Sequence, residues 1–185
     1  GGGVAVWLQS GLAYRHLEQV SCGDLEVIWI TVQLQSGNNV VVCAAYRPGT
    51  CSDSDISMIE HIDSTIDRVR QQGSNIIIAG DFNVHNRAWL HSTRTSVAGE
   101  AAEDMCALPG LTQHVLEPTR DANTLDLVMT DFQDPVHIQV LPPIGKSDHA
   151  VIIATCSSQL QREKSTRRTV WRYKKADWPR LQHFY

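Results

Sequence analysis

Three short clusters in this chain combine a carboxylate with an amide, a hydroxyl or an imidazole: Gly80-Asp81-Phe82-Asn83, Thr124-Leu125-Asp126 and Ser147-Asp148-His149. Several oxygen donors and an imidazole, without thiolates, suit a hard cation such as Mg2+ or Mn2+ better than zinc. Asp81 and Asn83 are two residues apart, so on an extended backbone their side chains leave on the same side while Phe82 points away. They could share a water or an ion. Asp148 and His149 are adjacent, so on a strand they diverge and need a turn, or different partners, to serve one site. Taken singly these signals are weak, because a D-x-N at a strand end is first of all a turn former and an S-D-H is usually a cap or loop. Their weight lies in occurring together, in order, beside predicted core strands.

The surrounding pattern predicts what would hold them. Alternation and β-branched enrichment mark strands at Gly3 to Leu8, Leu25 to Leu34 and Asn39 to Ala45, with Ser36-Gly37-Asn38 as a hairpin turn between the last two. Three early strands imply an antiparallel sheet. A helix follows, capped by Ser52 or Asp53, with Ile56, Ile59, Ile62, Ile66 and Val69 at helical spacing and Gly73 where a terminating glycine belongs. The apolar run Ile76 to Ala79 reads as a strand covered on both faces, ending in the first polar cluster. A second helix is expected over Ala101 to Leu108, stopped by Pro109-Gly110, with further strands at Leu125 to Met129, His137 to Leu141 and Ala150 to Cys156. Periodicity alone supports a mixed α and β domain. It fades after Ser157, which places a domain edge there, with residues 1–157 as the domain and 158–185 as a basic tail.

Composition narrows the class. With 185 residues, 42% hydrophobic and 19% charged, the chain has the balance of one globular domain with a sizeable core, and no apolar run approaches a membrane span. Five cysteines, an odd number without C-x-x-C spacing, read as buried free thiols in a reducing, intracellular setting, nuclear or cytoplasmic. Residues 1–161 carry 8 Lys/Arg against 18 Asp/Glu, whereas 162–185 carry 8 against 2. An acidic body argues against a nonspecific polyanion-binding surface, although carboxylates can meet phosphate through a bridging cation. The tail, with Trp171, Tyr173 and Trp178 among its basic residues, reads equally as a nucleic-acid tracking segment or a solvated linker.

Those clusters, with Tyr46-Arg47-Pro48 upstream, resemble the later motifs of the endonuclease/exonuclease/phosphatase superfamily. Gly1-Gly2-Gly3-Val4-Ala5-Val6, the run from Gly80 through His85-Asn86 to Trp89, and the tail Arg168-Thr169-Val170-Trp171-Arg172-Tyr173 to Trp178 are similar to the branch carried by non-LTR retrotransposons. The resemblance implies a DNase I-like, four-layer αββα sandwich, incomplete at its N-terminus. It also implies a Mg2+-dependent (or Mn2+-dependent) endonuclease that nicks target DNA, linked in the intact element to a reverse transcriptase, with no membrane association. Carried over by position, Asp81 would align or deprotonate the attacking water and share the metal with Asp148. Asn83 would hydrogen-bond the phosphorane-like transition state, and Tyr46 would donate to a phosphate oxygen. His149 would contact the scissile phosphate, oriented by Asp126. Such roles match what phosphodiester hydrolysis requires: a nucleophile generator, charge neutralisation and help for the leaving oxygen.

The chain also departs from that pattern. The family's first two motifs, a strand bearing an Asn and a strand ending in the principal metal-binding Glu, would lie before Gly1, and Glu18, Glu26 and Glu60 do not fit the role. An N-terminally truncated domain with impaired metal affinity is therefore expected. The alternatives are a catalytically inactive remnant or nucleic-acid-binding module and, since the core motifs are shared, a phosphatase of small substrates. His85, Asn86, Arg120 and Ser147 are further candidates for substrate contact, each with a bland reading as a loop residue. Trp89 is expected to pack on the core, and His16, His61, His91, His114 and His137 to be structural.

Overall fold

The computed structural model describes residues 3–34, 37–70 and 75–156. Ser36 of the expected turn, Gly73 and the basic tail with Trp171, Tyr173 and Trp178 lie outside the described residues, as does the far side of the proposed domain edge. The described elements are strands β1 (Tyr14–His16), β2 (Val27–Gln33) and β3 (Asn39–Tyr46), helix α1 (Ser57–Arg70), strand β4 (Asn75–Asp81), helix α2 (Val97–Ala107), and strands β5 (Thr112–Gln113), β6 (Asp126–Thr130), β7 (Val136–Leu141) and β8 (Val151–Cys156). Six strands form one mixed sheet in the order β1-β2-β3-β4-β6-β5, and β7 pairs with β8 in a second, two-stranded sheet. This is the α/β class expected.

The sheet's centre follows from where the β-branched residues fall. β2 and β3 pair antiparallel in the register Val27↔Ala45 to Gln33↔Asn39, so the connection between them closes a hairpin, with Gly37 in a left-handed conformation at φ 81°. From β3 the chain crosses through α1 and returns as β4, parallel to β3, and β6 then adds antiparallel to β4. Ile59, Ile62, Ile66 and Val69 of α1 and Ala98, Ala102 and Met105 of α2 bury themselves against Trp29, Val41, Cys43, Ile76, Ile78, Leu127 and Met129, alternate residues of the central strands. Trp89 packs against the edge of this cluster, in line with its apolar reading.

Several boundaries differ from the periodicity reading, each for a physical reason. Gly3 to Leu8 does alternate, with Val4, Val6 and Leu8 half-buried between exposed neighbours, yet it forms no ladder because no strand lies beside it among the described residues. β1 takes its place at the sheet edge. α1 begins at Ser57, where the Asp55 carboxylate accepts the Ser57 N–H at 3.1 Å, and residues 52–55 instead form a loop around Arg47. α2 begins earlier than expected because Ser96 caps it, accepting the Gly99 N–H at 3.0 Å. The run Ile76 to Ala79 is covered fully on the helix side only; Ile77 and Ala79, on the opposite face, remain half-buried.

Two glycines permit close approaches that a side chain would forbid. A Cβ on Gly80 would lie 1.8 Å from the Ala45 carbonyl oxygen, and one on Gly99 would lie 1.9 Å from the His85 carbonyl oxygen. Both obstacles are backbone, so neither can rotate aside. Gly80→Ala is expected to separate β3 from β4 and to destabilise the domain by on the order of 3 kcal/mol in urea unfolding. A midpoint equal to wild type would show that this approach is not maintained.

Candidate active site

The register of the central sheet carries the polar clusters to one place. Tyr46 pairs with Asp81 across β3 and β4, and Asp81 pairs with Asp126 across β4 and β6, so three adjacent strands present a row of polar side chains on the face away from the helices. The loop before β8 adds His149. Together with Asn83, Arg120, Asp148, Gly49 and Gly3 these residues line an open cleft of about 440 Å3. Asp81, Asn83, Asp126, Asp148, His149, Tyr46 and Arg120, all singled out from sequence, therefore converge.

Inside the cleft the contacts are specific. His149 Nδ1 lies 2.8 Å from Asp126 Oδ2, and its Nε2 faces Asp81 Oδ2 at 3.9 Å. A carboxylate accepts at Nδ1, so Nδ1 carries a proton and Nε2 is the atom presented to the cleft. Asp81 accepts the Asn83 N–H at 3.1 Å on Oδ1 and the Asn83 side-chain amide at 2.8 Å on Oδ2. The other amide hydrogen of Asn83 goes to the Arg47 carbonyl at 2.9 Å. Both donors of Asn83 are thus committed to orienting Asp81 and the loop, so contact with a reacting phosphate would require one to exchange partners. Asn83 sits in the left-handed region, φ 45°, and Phe82 between the two polar residues is fully buried, the same-side geometry that the two-residue spacing predicts.

Burial, reinforced by the facing Asp126 carboxylate, raises the Asp81 pKa to about 6 from its ordinary 3.8, against the opposing pull of His149 and the Asn83 hydrogen bonds. Oxygen and nitrogen atoms of Asp81, Asp126 and His149 lie within 4.8 Å of one another, close enough to ligate one cation. Two facing carboxylates, one held reluctant to ionise, fit a divalent cation chemically, since binding it would relieve their repulsion. Asp148 is not in this group. Its Oδ2 is 2.6 Å from Arg120 Nη2 at the cleft's exposed rim, and it and His149 lie in a bend, not on a strand.

Three other candidates fall outside the cleft. Asn86 is buried, its Oδ1 accepting the Ala88 and Trp89 N–H groups at 3.0 and 3.1 Å and its amide donating to Glu103 at 2.8 Å and, at 3.5 Å, to the Gly99 carbonyl, so its hydrogen bonds are taken up within the fold. The backbone of His85 is tied to Ser96 at the start of α2, and burial, then the nearby Arg94 charge, lowers its imidazole pKa. Ser147 is exposed and closes a local turn, its hydroxyl accepting the His149 N–H at 3.1 Å. Glu18 and Glu26 line a separate depression beside β2.

The sequence reading missed Thr119. Buried in the 111–125 segment, its hydroxyl accepts the N–H groups of Leu125 at 3.0 Å and Asp126 at 3.1 Å, while its carbonyl accepts the N–H of Ala150 at 2.7 Å. One residue thereby pins both the strand start bearing Asp126 and the residue after His149. Only its place after Pro118 and near the Asp126 cluster hinted at this. Gly49 was also missed; a Cβ there would meet the Asn83 amide oxygen at 3.5 Å.

With this geometry established, comparison with known proteins is decisive at the level of family. The sequence profile described as endonuclease-reverse transcriptase matches residues 40–153, more than half of the chain, from within β3 to within β8 and including every polar side chain of the cleft. The chain belongs to that family. Among solved structures it is similar to the endonuclease domain of TRAS1, a telomere-specific non-LTR retrotransposon, at 16% identity and a TM-score of 0.63, covering 83% of this chain and 72% of that one. It is also similar to an endonuclease/exonuclease/phosphatase family protein from Leptotrichia buccalis C-1013-b, at 16% identity and a TM-score of 0.51 over 79% of this chain and 61% of that one. A third match, a protein of the same family from Bacteroides thetaiotaomicron, has 11% identity and a TM-score of 0.50 over 78% and 64%. The chain spans less than two thirds of the two bacterial proteins. At these identities the likeness establishes the fold, the DNase I-like architecture of the superfamily. No curated protein matches the chain. None of its described helices is long and apolar enough to cross a membrane.

Two outcomes test the site's electrostatics and wiring. The folded pKa of Asp81 lies above its ordinary 3.8, so the folded state holds its proton more tightly; this group's contribution to stability is greatest below about pH 4, declines as pH rises to about 6 and is constant beyond. Carboxyl 13C titration of Asp81 should show a midpoint near 6 that falls in Asp126→Asn but stays above 3.8, because burial remains; an unmoved midpoint would deny that the two carboxylates face each other. Thr119→Val should lose about 2 kcal/mol by stranding two N–H groups, with displaced resonances at both Asp126 and His149, whereas a change confined to residue 119 would reject the shared anchor.

Proposed function

We propose that this chain is the catalytic part of a divalent-metal-dependent endonuclease that hydrolyses DNA phosphodiesters, nicking a target for reverse transcription as in a retrotransposon. The observation that carries this reading is the line Asp126–His149–Asp81, with an imidazole fixed at 2.8 Å on one carboxylate and aimed at the other across an open cleft. The TRAS1 likeness, to the endonuclease domain of a non-LTR retrotransposon, and the family description support the biological setting. DNA is the substrate partner, a reverse transcriptase the functional one, and the reducing interior of the cell, cytoplasm or nucleus, the setting in which five free thiols persist.

Each residue has work suited to its surroundings. The two Asn83 hydrogen bonds hold the Asp81 carboxylate in one orientation, from which it would align the attacking water beside the ion it helps to hold. His149 presents Nε2 to the scissile phosphate, while Asp126 keeps the ring from rotating and stabilises positive charge on it. Tyr46, at the end of the same row, offers a hydroxyl to a phosphate oxygen. Arg120 stands at the rim, where a phosphate could replace Asp148 as its partner. Asp81 and Asp126 would hold Mg2+ or Mn2+, leaving His149 Nε2 free for the phosphate, and the ion when bound supplies charge neutralisation on the phosphate oxygens.

A supercoiled-plasmid assay tests this. Conversion to open circles that requires Mg2+ or Mn2+ and drops roughly a thousandfold in Asp81→Ala and in His149→Ala is expected. Inorganic phosphate released from phosphomonoesters without nicking would favour a small-substrate phosphatase. DNA binding with no turnover at any metal concentration would favour a noncatalytic module.

A further inference from the structure

The side chain of Arg47 is the charged group this mechanism leaves unused, and its surroundings are unusual. Arg47 is 3% exposed, yet among the described residues no carboxylate pairs with it. Its guanidinium donates instead to main-chain carbonyls: Nη1 to Asn83 at 3.0 Å, Nη2 to Ser52 at 2.5 Å and Asp55 at 3.1 Å, with a longer contact from Nε to Asp55 at 3.4 Å. Its main chain is committed to the same place, the N–H to the Asp81 carbonyl at 2.8 Å and the carbonyl to the Asn83 amide at 2.9 Å.

A buried cation that meets no carboxylate directly is expensive, even with Asp53 and Asp55 near enough to feel its charge, and an apolar side chain of like volume would cost less unless the fork of donors is needed. What the fork holds is the loop after β4. Asn83 adopts a left-handed conformation, which asparagine tolerates better than most residues and which its hydrogen bonds here select over the alternatives. Arg47 grips Asn83 from both ends, its guanidinium on the backbone carbonyl and its own carbonyl on the side-chain amide. The same amide and the Asn83 N–H are the two groups that orient Asp81.

From this geometry we infer that Arg47 is a positioning residue for the nuclease reaction, holding Asn83 in its left-handed conformation so that the Asp81 carboxylate faces the cleft. It touches neither substrate nor metal. Lysine replaces it only in part, because a compact ammonium cannot reproduce the planar fork that spans carbonyls of two loops. The inference rests on the proposed nuclease reading for its kinetic consequence, and on the hydrogen bonds of Arg47 and Asn83 for its structural one.

The test uses the full chain with Arg47→Lys and Arg47→Met, read by plasmid-nicking kinetics and by the Asn83 side-chain amide in 15N NMR spectra. Wild type should show a separated, slowly exchanging Asn83 amide pair. Arg47→Met should move that pair to the position of a solvated amide and lower kcat roughly a hundredfold with KM within about twofold, and Arg47→Lys should recover only part of either. A folded Arg47→Met whose Asn83 signals and kcat are unchanged, or whose loss lies in KM, overturns the assignment. Should wild type not nick DNA at all, the nuclease reading fails and the Asn83 amide alone decides the positioning role. If neither variant folds, the wild-type guanidinium decides it: cross-relaxation from the Arg47 Nη protons to Asn83 supports the grip, and freely rotating, rapidly exchanging Nη protons refute it.

Discussion

Two carboxylates that would rather be apart are held opposite each other by sheet register. Asp81 ends β4, Asp126 begins β6, and the antiparallel pairing of these strands places them as cross-strand neighbours. Like charges so placed repel, and burial adds to the strain on Asp81. The rest of the cleft answers that repulsion. His149 takes one carboxylate as its partner and stands within reach of the other, Asn83 gives two hydrogen bonds to Asp81, and Arg120 and Asp148 balance each other at the rim.

Holding that arrangement requires a stiff frame, and the frame is built from main-chain geometry more than from side-chain packing. Gly80 lets β3 and β4 approach so closely that no other residue fits against the Ala45 carbonyl. Thr119 ties the start of β6 to the loop carrying His149. The left-handed turn at Asn83 is stitched to β3 by reciprocal bonds with Arg47. These devices act on loops at strand ends, where a fold is otherwise free to vary. The helices on the far face supply the apolar core, and with it the rigidity of the strands themselves.

Much of this was legible in the residues. β-Branched runs located β2, β3 and β4, an apolar stretch behind a polar loop located β6, helical spacing located α1, and the carboxylate clusters marked the cleft's floor, because period and side-chain chemistry are local properties. Failures trace to non-local causes. Val4, Val6 and Leu8 alternate as a strand should, but a ladder needs a neighbour, and periodicity cannot supply one. Asn86 belongs to a polar run that looks functional, yet Glu103 and the turn it caps consume its hydrogen bonds, and Glu103 is distant in sequence. Asp148 and His149 sit in a bend, where adjacency sets no direction for their side chains, and the pairing of Asp148 with Arg120 left no sign in the sequence. Thr119 escaped notice because a hydroxyl serving two backbone N–H groups leaves no pattern in a single sequence.

The cleft also cannot be divided. Its polar lining runs from Tyr46 to His149, and the contacts that assemble it join residues 36 and 23 positions apart, Arg47 to Asn83 and Asp126 to His149. Each such closure carries an entropic toll that is met only when the intervening sheet and helices are in place. A piece of the chain that ends with β7 would retain Asp81 and Asp126 but surrender the imidazole between them, leaving two opposed anions and no mediator. The geometry is a property of the whole domain, inherited by no part of it.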